Sequence, residues 1–391
     1  MPRNIRALDG VRGLAVILVM LHHFEPVLPA TNVLLKYVKV SFSYGWAGVD
    51  LFFALSGFLI TGILLDTSRA NNYFRAFYAR RILRIFPLYY TVLLFVLVFL
   101  RPPVPLAADR KLYFLYLTNW LVLWKGQWGP NILGHFWSLA VEEQFYLLWP
   151  LCVWSLSSKK LRKLAVVASV VALFSRIFWV AHSGPSQAVV VATVTRMDSL
   201  FCGALGAVLC RDARALPALR KWSPRVAVAM MVVFIAGLSP FVRQLEPTAY
   251  FIQTLGFTFL AIGFAALVVH AAVTEGSPTL AQRIFCNGTL TAFGKYSYGI
   301  YVFHVPVLMI GDALMYRWLS ASLPYNVWLS LPYTVWFSVV HLCFLAMTSF
   351  VIAKISYECF ERRFLALKRH FEPIYSSTVP ISVNELAAPQ V

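Results

Sequence analysis

Two stretches of the chain place ionisable side chains inside segments that are otherwise apolar enough to span a membrane. One is the run after the N-terminus that holds Arg12 and His23, and the other is WSLAVEEQFYLLWP at residues 137–150. Ionisable side chains are costly in hydrocarbon, so each of them is a functional-site hypothesis by default. An imidazole is suited to proton transfer near neutral pH, and a carboxylate beside it can orient the ring.

His23 is the strongest candidate for proton transfer. It follows Arg12 by eleven residues, and a helix rising about 1.5 Å per residue places the imidazole about 16 Å above the inner boundary, near mid-bilayer. His22 points about 100° away on the same helix, so only one of the two can face a given site. His304, in the ninth predicted span, lies at a matching depth. We expect His23 to be catalytic; the alternative is a histidine that bonds to a neighbouring helix.

Three carboxylates could assist such a base. Glu142 and Glu143 lie about one and a half turns into the fourth predicted span, and adjacent residues cannot share a helix face, so we expect them to have separate partners. Asp50, in the outer half of the second predicted span, needs a partner there. We expect one of these carboxylates to orient the imidazole of His23, with Glu142 and Asp50 as the catalytic candidates. Which of Glu142 and Glu143 faces the site is left open.

Two further pairs favour structural interpretations. Ser56 and Gly57, one to two turns after Asp50 in sequence, are small enough to permit the close approach of another helix or of a substrate. Arg196 and Asp198, in the sixth predicted span, have opposite charges and could form an internal ion pair.

Arginines 80, 81 and 84 form an RRxxR motif at the inner start of the third predicted span. Arg81 and Arg84 are three residues apart and share a helix face. Guanidinium groups at a helix N-terminus suit phosphate binding, through bidentate contacts and the helix dipole. We expect Arg81 and Arg84, together with Arg12, to bind phosphates; the alternative is an anchor at the inner membrane face.

The composition indicates a polytopic membrane protein. Of 391 residues, 60% are apolar and 13% are charged, against about 25% charged in ordinary soluble domains. Ten apolar stretches are near or above the roughly 20 residues that a helix needs to cross the bilayer. They lie near residues 12–30, 46–66, 85–101, 136–156, 163–182, 188–210, 225–242, 250–272, 294–316 and 328–357. We expect an all-α protein with about ten transmembrane helices.

The net charge of +18 is explained by membrane topology and does not indicate a nucleic-acid partner. With the N-terminus placed in the cytoplasm, 24 Lys and Arg residues fall in inner segments and 8 in outer segments. This excess is the positive-inside pattern, and it predicts that both termini are cytoplasmic. The first helix is expected to be retained, because paired histidines interrupt it and no small-residue cleavage site follows. The six cysteines show no metal-ligand spacing, and no metal is expected.

In order along the chain, the motifs resemble the acyltransferase 3 family of integral-membrane acyltransferases. The matching runs are LDGVRGLAVILVMLHHF, GVDLFFALSGFLIT, RRILRIFPLYY, FWSLAVEEQFYLLWP, RMDSLFCGALGA and GKYSYGIYVFHVPV. Glu361 fits the closing helix of the family, although Arg362 follows it where many members have proline. The resemblance implies a membrane acyltransferase domain over residues 1–365, and the polar residues 366–391 are expected to form a disordered cytoplasmic tail.

The resemblance also implies an activity. Members transfer an acyl group, often acetyl, from a cytoplasmic acyl-CoA to a hydroxyl of an acceptor, commonly a sugar of a cell-surface or exported glycan. Arg12 and His23 match the family's element of arginine, ten residues and histidine, and Arg81 and Arg84 match its RxxR element. The implied partners are acyl-CoA, a carbohydrate acceptor and the bilayer of the plasma (inner) membrane. Some members carry a further extracytoplasmic hydrolase-like domain that is not seen here, so acceptor contacts are expected from the chain's own loops.

A proton-coupled transporter or flippase is the alternative function, because the same midplane histidine and glutamates could form a proton relay. Transporters are often built from repeated halves, and no clear internal repeat is visible. An acyl donor that carries phosphates explains the arginines at the inner face better than a transporter does. The identity of the acceptor, the acyl chain length and the choice between direct transfer and an acyl-histidine intermediate stay open.

Overall fold

The computed structural model describes residues 5–25, 33–99, 104–126, 128, 131–238, 250–324, 327 and 335–375. Within these ranges the chain is helical and contains no β-strand. The α-helices are α1 (Arg6–His23), α2 (Val33–Ser43), α3 (Gly48–Asp66), α4 (Tyr73–Phe99), α5 (Val104–Phe114), α6 (Thr118–Lys125), α7 (Phe136–Ser155), α8 (Ser158–Ser183), α9 (Gln187–Val191), α10 (Thr193–Leu209), α11 (Leu216–Leu238), α12 (Phe257–Val273), α13 (Leu280–Phe285), α14 (Gly288–Lys295), α15 (Ser297–Ser322), α16 (Val335–Ser356) and α17 (Arg362–Ala366). Single π-helical turns precede α12, at Ile252–Gly256, and α17, at Tyr357–Glu361.

Eight helical segments among the described residues are long and apolar enough to cross a membrane, which confirms a multi-pass, all-helical architecture. They are Tyr37–Asp66, Tyr73–Phe99, Ser158–Ser183, Gln187–Leu209, Leu216–Leu238, Ile252–Val273, Ser297–Ser322 and Val335–Phe371. The first and fourth predicted spans also form helices, α1 and α7, but these fall outside that set and carry charged residues such as Arg12 and Glu142. The count of ten spans and the cytoplasmic placement of the termini remain predictions.

The start of the third span differs from the prediction. A helix was expected from residue 85, whereas α4 begins at Tyr73. Hydropathy detects only the apolar part of a helix, which hydrocarbon can surround. It therefore does not detect the basic first turns of α4. Arg81 and Arg84 therefore lie more than two turns inside the helix, where its backbone N–H groups are already bonded. The prediction that these arginines occupy a helix N-terminus, with help from its dipole, is wrong.

The centre of the bundle is a close contact between α3 and α10. A Cβ added to Gly57 would lie 1.9 Å from the carbonyl oxygen of Leu200, and one added to Gly203 would lie 2.0 Å from that of Ala54. Only residues without a side chain allow the two backbones to approach in this way. The interpretation of Gly57 as a packing residue is confirmed.

The C-terminal part of the chain folds back on the bundle. Helix α17 ends at Ala366, and a 3-10 helix follows at Leu367–Phe371. The backbone N–H of Asn71, just before α4, donates to the carbonyl oxygen of Ile374 at 2.8 Å. The prediction of a disordered tail from residue 366 therefore does not hold for residues 366–375, and residues 376–391 lie outside the described part of the chain.

Candidate active site

Three histidines from distant parts of the sequence meet inside the bundle. The ring centre of His304, on α15, lies 4.7 Å from that of His23, at the end of α1, and 4.9 Å from that of His135, just before α7. His304 is fully buried and His135 nearly so. His23 and His304, predicted at matching depths, are therefore neighbours. His135 belonged to no motif that pointed to chemistry, and sequence reasoning missed it.

Hydrogen bonds to the backbone fix the form of two of these rings. Nδ1 of His23 lies 2.9 Å from the carbonyl oxygen of Val19, and Nδ1 of His304 lies 2.6 Å from that of Tyr301. A carbonyl oxygen only accepts, so each Nδ1 carries the proton, and in the neutral ring Nε2 keeps its lone pair. Nε2 of His304 is buried and has no hydrogen-bond partner among the described residues. Both rings are therefore in the tautomer that a general base requires.

His22 faces another part of the bundle, although its ring centre lies only 5.1 Å from that of His23. A Cβ added to Gly45 would lie 3.1 Å from the Cβ of His22, so this histidine packs against the turn before α3. The structure thus separates the two adjacent histidines as helix geometry predicts, and only His23 meets His304 and its neighbours.

A pair of hydroxyl groups stabilises the turn that carries His135. Tyr301, one turn before His304 on α15, donates to the carbonyl oxygen of His135 at 3.1 Å. The same hydroxyl is hydrogen-bonded to that of Ser138, in the first turn of α7. These bonds tie the start of α7 to α15 and hold His135 beside His304.

Glu142 contacts α3 rather than a histidine ring. Its Oε1 accepts a hydrogen bond from the hydroxyl of Ser56 at 2.6 Å. Arg81 lies against the same part of α7, with its guanidinium carbon 3.9 Å from the ring centre of Tyr146. Arg81 interacts electrostatically with both Glu143 and Glu142. The two adjacent glutamates, expected to have separate partners, therefore share Arg81, and the small residue Ser56 serves as a hydrogen-bond donor to Glu142.

The three arginines predicted to bind phosphates converge in space. Arg84 interacts electrostatically with Arg12, with Arg81 and with Glu361. Arg12 also donates to Oδ1 of Asp9, one turn earlier on α1, at 2.5 Å. Glu361 is nearly buried in the π-helical turn before α17. Arginines from α1 and α4 therefore share one region, and each of the three has a carboxylate nearby.

Asp50 does not join the histidines. One of its carboxylate oxygens accepts from Arg196 at 2.8 Å and the other from the hydroxyl of Ser199 at 3.0 Å. All of these groups are buried. Both oxygens are engaged with α10, so Asp50 orients no imidazole in this structure.

Arg196 and Asp198 do not form the ion pair that was expected between them, because each pairs with a residue on another helix. Asp198 pairs with Arg176, on α8, at 2.6 Å, and both side chains are almost completely buried. Residues two apart on a helix point to different sides, so each finds a partner on a different neighbouring helix. The two buried pairs connect α3, α8 and α10.

Comparison with known proteins agrees with these observations. A family model described as "Acyltransferase domain" matches residues 5–353. The peptidoglycan O-acetyltransferase OatA of Listeria monocytogenes is 30% identical over 351 residues, which is 83% of this chain and 52% of that protein. The O-acetyltransferase OatA of Staphylococcus aureus is 28% identical over 357 residues, or 84% of this chain and 54% of that protein.

A third relative, the putative peptidoglycan O-acetyltransferase YrhL of Bacillus subtilis, is 30% identical over 338 residues, which is 79% of this chain and 49% of that protein. The chain thus spans about half the length of the curated relatives it matches. No solved structure matches. The resemblance seen in the sequence motifs is confirmed over nearly the whole chain.

Proposed function

The chain belongs to this acyltransferase family, and on that premise we propose that it moves an acetyl group from cytoplasmic acetyl-CoA to a hydroxyl of a cell-wall glycan. The observation that carries the proposal is the meeting of His23 with His304 in the same helical bundle that gathers Arg12, Arg81 and Arg84. Acyl transfer from a thioester that bears phosphates needs two parts, a base and a cationic region.

The donor is assigned from the chemistry of the arginines. An acyl-CoA presents several phosphate groups, and planar guanidinium groups bind phosphate through paired hydrogen bonds. Nε of Arg81 is buried without a hydrogen-bond partner in the described part of the chain, so it retains a donor for a ligand. Positive-inside counting predicts that this region lies at the cytoplasmic face of the plasma membrane, where acyl-CoA is available.

In the reaction, Nε2 of His23 takes the proton of the acceptor hydroxyl as the hydroxyl oxygen attacks the thioester carbonyl carbon. The C–S bond breaks, and the proton passes to the departing thiolate. Alternatively, Nε2 attacks the carbonyl carbon itself, and the C–S bond breaks to release the CoA thiolate. The acceptor hydroxyl then attacks the acyl-histidine, the N–C bond breaks, and the hydroxyl proton passes to the freed Nε2. Because the bond from Nδ1 to Val19 keeps the lone pair on Nε2, one ring orientation serves both routes.

Glu142 acts as a positioning residue in this scheme. Glu142 accepts a hydrogen bond from Ser56 and interacts with Arg81. It therefore positions a donor-binding arginine and not the imidazole of His23. Asp50, committed to Arg196, supports the bundle. Of the two carboxylates predicted to be catalytic, we therefore retain Glu142 in the site and assign Asp50 to packing.

The acceptor is inferred from the relatives, two of which are named as peptidoglycan O-acetyltransferases and are 30% identical to this chain. A hydroxyl of a cell-wall glycan is therefore the acceptor that we propose. The transporter alternative finds no counterpart among these relatives.

The test uses the purified protein in lipid nanodiscs, acetyl-CoA labelled in the acetyl group, and soluble peptidoglycan strands. We expect release of free CoA that depends on the acceptor, with the label recovered as an alkali-labile ester on the glycan. His23→Ala should abolish both. A glycan that crosses sealed vesicles without any turnover of the thioester would instead support the transporter.

A further inference from the structure

The residues that follow α17 form a segment fixed to the start of α4. We call residues 367–375 the C-terminal strap. The side-chain amide of Asn72 donates to the carbonyl oxygen of Glu372 at 2.9 Å, and its Oδ1 accepts from the backbone N–H of Ile374 at 2.9 Å. With the backbone bond from Asn71 to Ile374 and the bond from the hydroxyl of Tyr375 to the carbonyl oxygen of Asp66, four hydrogen bonds hold the strap in place. The strap therefore has a defined position at the base of the helix that carries the RRxxR motif.

Lys368 is the strap residue that approaches that motif. The charges that act on it come from Arg84, Arg81 and Arg80, and all of them are positive. The side chain is half-buried, so water screens these repulsions only in part. A charged lysine held by its backbone near three arginines is unfavourable, and an anion that joins them would stabilise its charged form.

The neighbouring carboxylates do not remove this excess of positive charge at Lys368. Glu361 acts on Arg84, and the glutamates of α7 act on Arg81, so the deeper part of the region is largely balanced. Around Lys368 the strongest charges remain positive. The unbalanced charge thus lies at the strap.

We propose that Lys368 binds the donor, and that the strap places its ammonium group against the phosphates at the nucleotide end of acyl-CoA. This proposal rests on the proposed function, in which acyl-CoA is the donor. The thioester must reach His23, so the pantetheine arm leads into the bundle and the nucleotide remains at the mouth. There the strap adds a cation to the arginines of α4, and Asn72 is the positioning residue that fixes it.

The experiment compares two donors, acetyl-CoA and S-acetyl-4′-phosphopantetheine, which carries the thioester arm but lacks the nucleotide. Lys368→Ala in the full chain should raise the KM for acetyl-CoA about tenfold, as expected for a lost charge-assisted contact, with kcat within about twofold. The KM for S-acetyl-4′-phosphopantetheine should not change. Lys368→Arg should restore most of the affinity, and Asn72→Ala should reproduce the selective loss by releasing the strap.

Lys354→Ala is the matched control, because it removes the same charge from an exposed position on α16 and should leave both KM values unchanged. If Lys368→Ala leaves the KM for acetyl-CoA unchanged, or raises it equally for both donors, the assignment of Lys368 is overturned while the donor stands. If the wild-type protein turns over neither donor, the proposed donor itself fails and the role of Lys368 fails with it.

Discussion

The imidazole rings of His23 and His304 lie 4.7 Å apart between centres, and each ring bonds through Nδ1 to a backbone carbonyl of its own helix. Two neutral rings in this form present two Nε2 lone pairs, which cannot bond to each other without a proton. The finding brings both residues to one place in the bundle, with His23 on the helix that also carries Arg12.

The first prediction concerns the division of work between these histidines. His23→Ala should lower turnover by about 10²–10⁴-fold, because loss of a general base typically costs that much. Labelled acetyl-CoA assays on purified protein would measure it, and melting curves in detergent would establish that the variant is folded. His182→Ala is the control, since this histidine is exposed at the end of α8. Wild-type turnover in His23→Ala together with none in His304→Ala would make His304 the base.

The second prediction separates packing from catalysis at Asp50. Asp50→Ala leaves Arg196 buried and unpaired, and breaking a buried ion pair from one side typically costs about 3–5 kcal/mol. We expect a clearly lower melting temperature with near-normal turnover per folded molecule. Asp66→Ala removes a carboxylate whose side chain is 55% exposed, and such surface pairs contribute only about 0–1 kcal/mol. A normal melting temperature with lost turnover in Asp50→Ala would restore Asp50 to the site.

The positions along each helix could be predicted from the sequence, because helix rise is regular. Counting residues from Arg12 sets the depth of His23, and counting from the inner boundary sets that of His304. The two rings do meet. The relative level of these two residues is therefore encoded locally, in the apolar runs and in the charges that flank them.

The choice of lateral partners could not be predicted in this way. Asp50 pairs with Arg196 because Gly57 and Gly203 let α3 and α10 approach closely. The sequence of either helix alone does not specify that contact. The position of His135 depends on a hydrogen bond from the hydroxyl of Tyr301, on a different helix, which is itself bonded to that of Ser138. Lys368 lies beyond the last apolar run, where hydropathy carries no information about tertiary contacts.

The third prediction tests the orientation of the bundle. Reporter tags at about residues 160 and 218 should be accessible from the cytoplasm, and a tag at about residue 187 should be accessible from outside, as the positive-inside charge split requires. Residue 160 lies at the start of α8, residue 187 just beyond its end, and residue 218 in the first turn of α11. Thiol labelling of single-cysteine variants in intact cells would show from which side of the membrane each site is accessible. A cytoplasmic tag at residue 187 would contradict both the helix count and the placement of the donor.

The last prediction concerns Arg81, which stacks on Tyr146 and interacts with both glutamates of α7. Arg81→Ala should raise the KM for acetyl-CoA far more than that for the acceptor, because a lost charge-assisted contact costs about 1.5–3 kcal/mol, or roughly 10–150-fold. Arg81→Lys should recover only part, since the ammonium keeps the charge but not the planar fork. Arg69→Ala, exposed in the turn before α4, is the control and should change neither KM. Equal increases in both KM values, with a lower melting temperature, would show that Arg81 supports the fold through Glu142 and Glu143 and does not bind the donor.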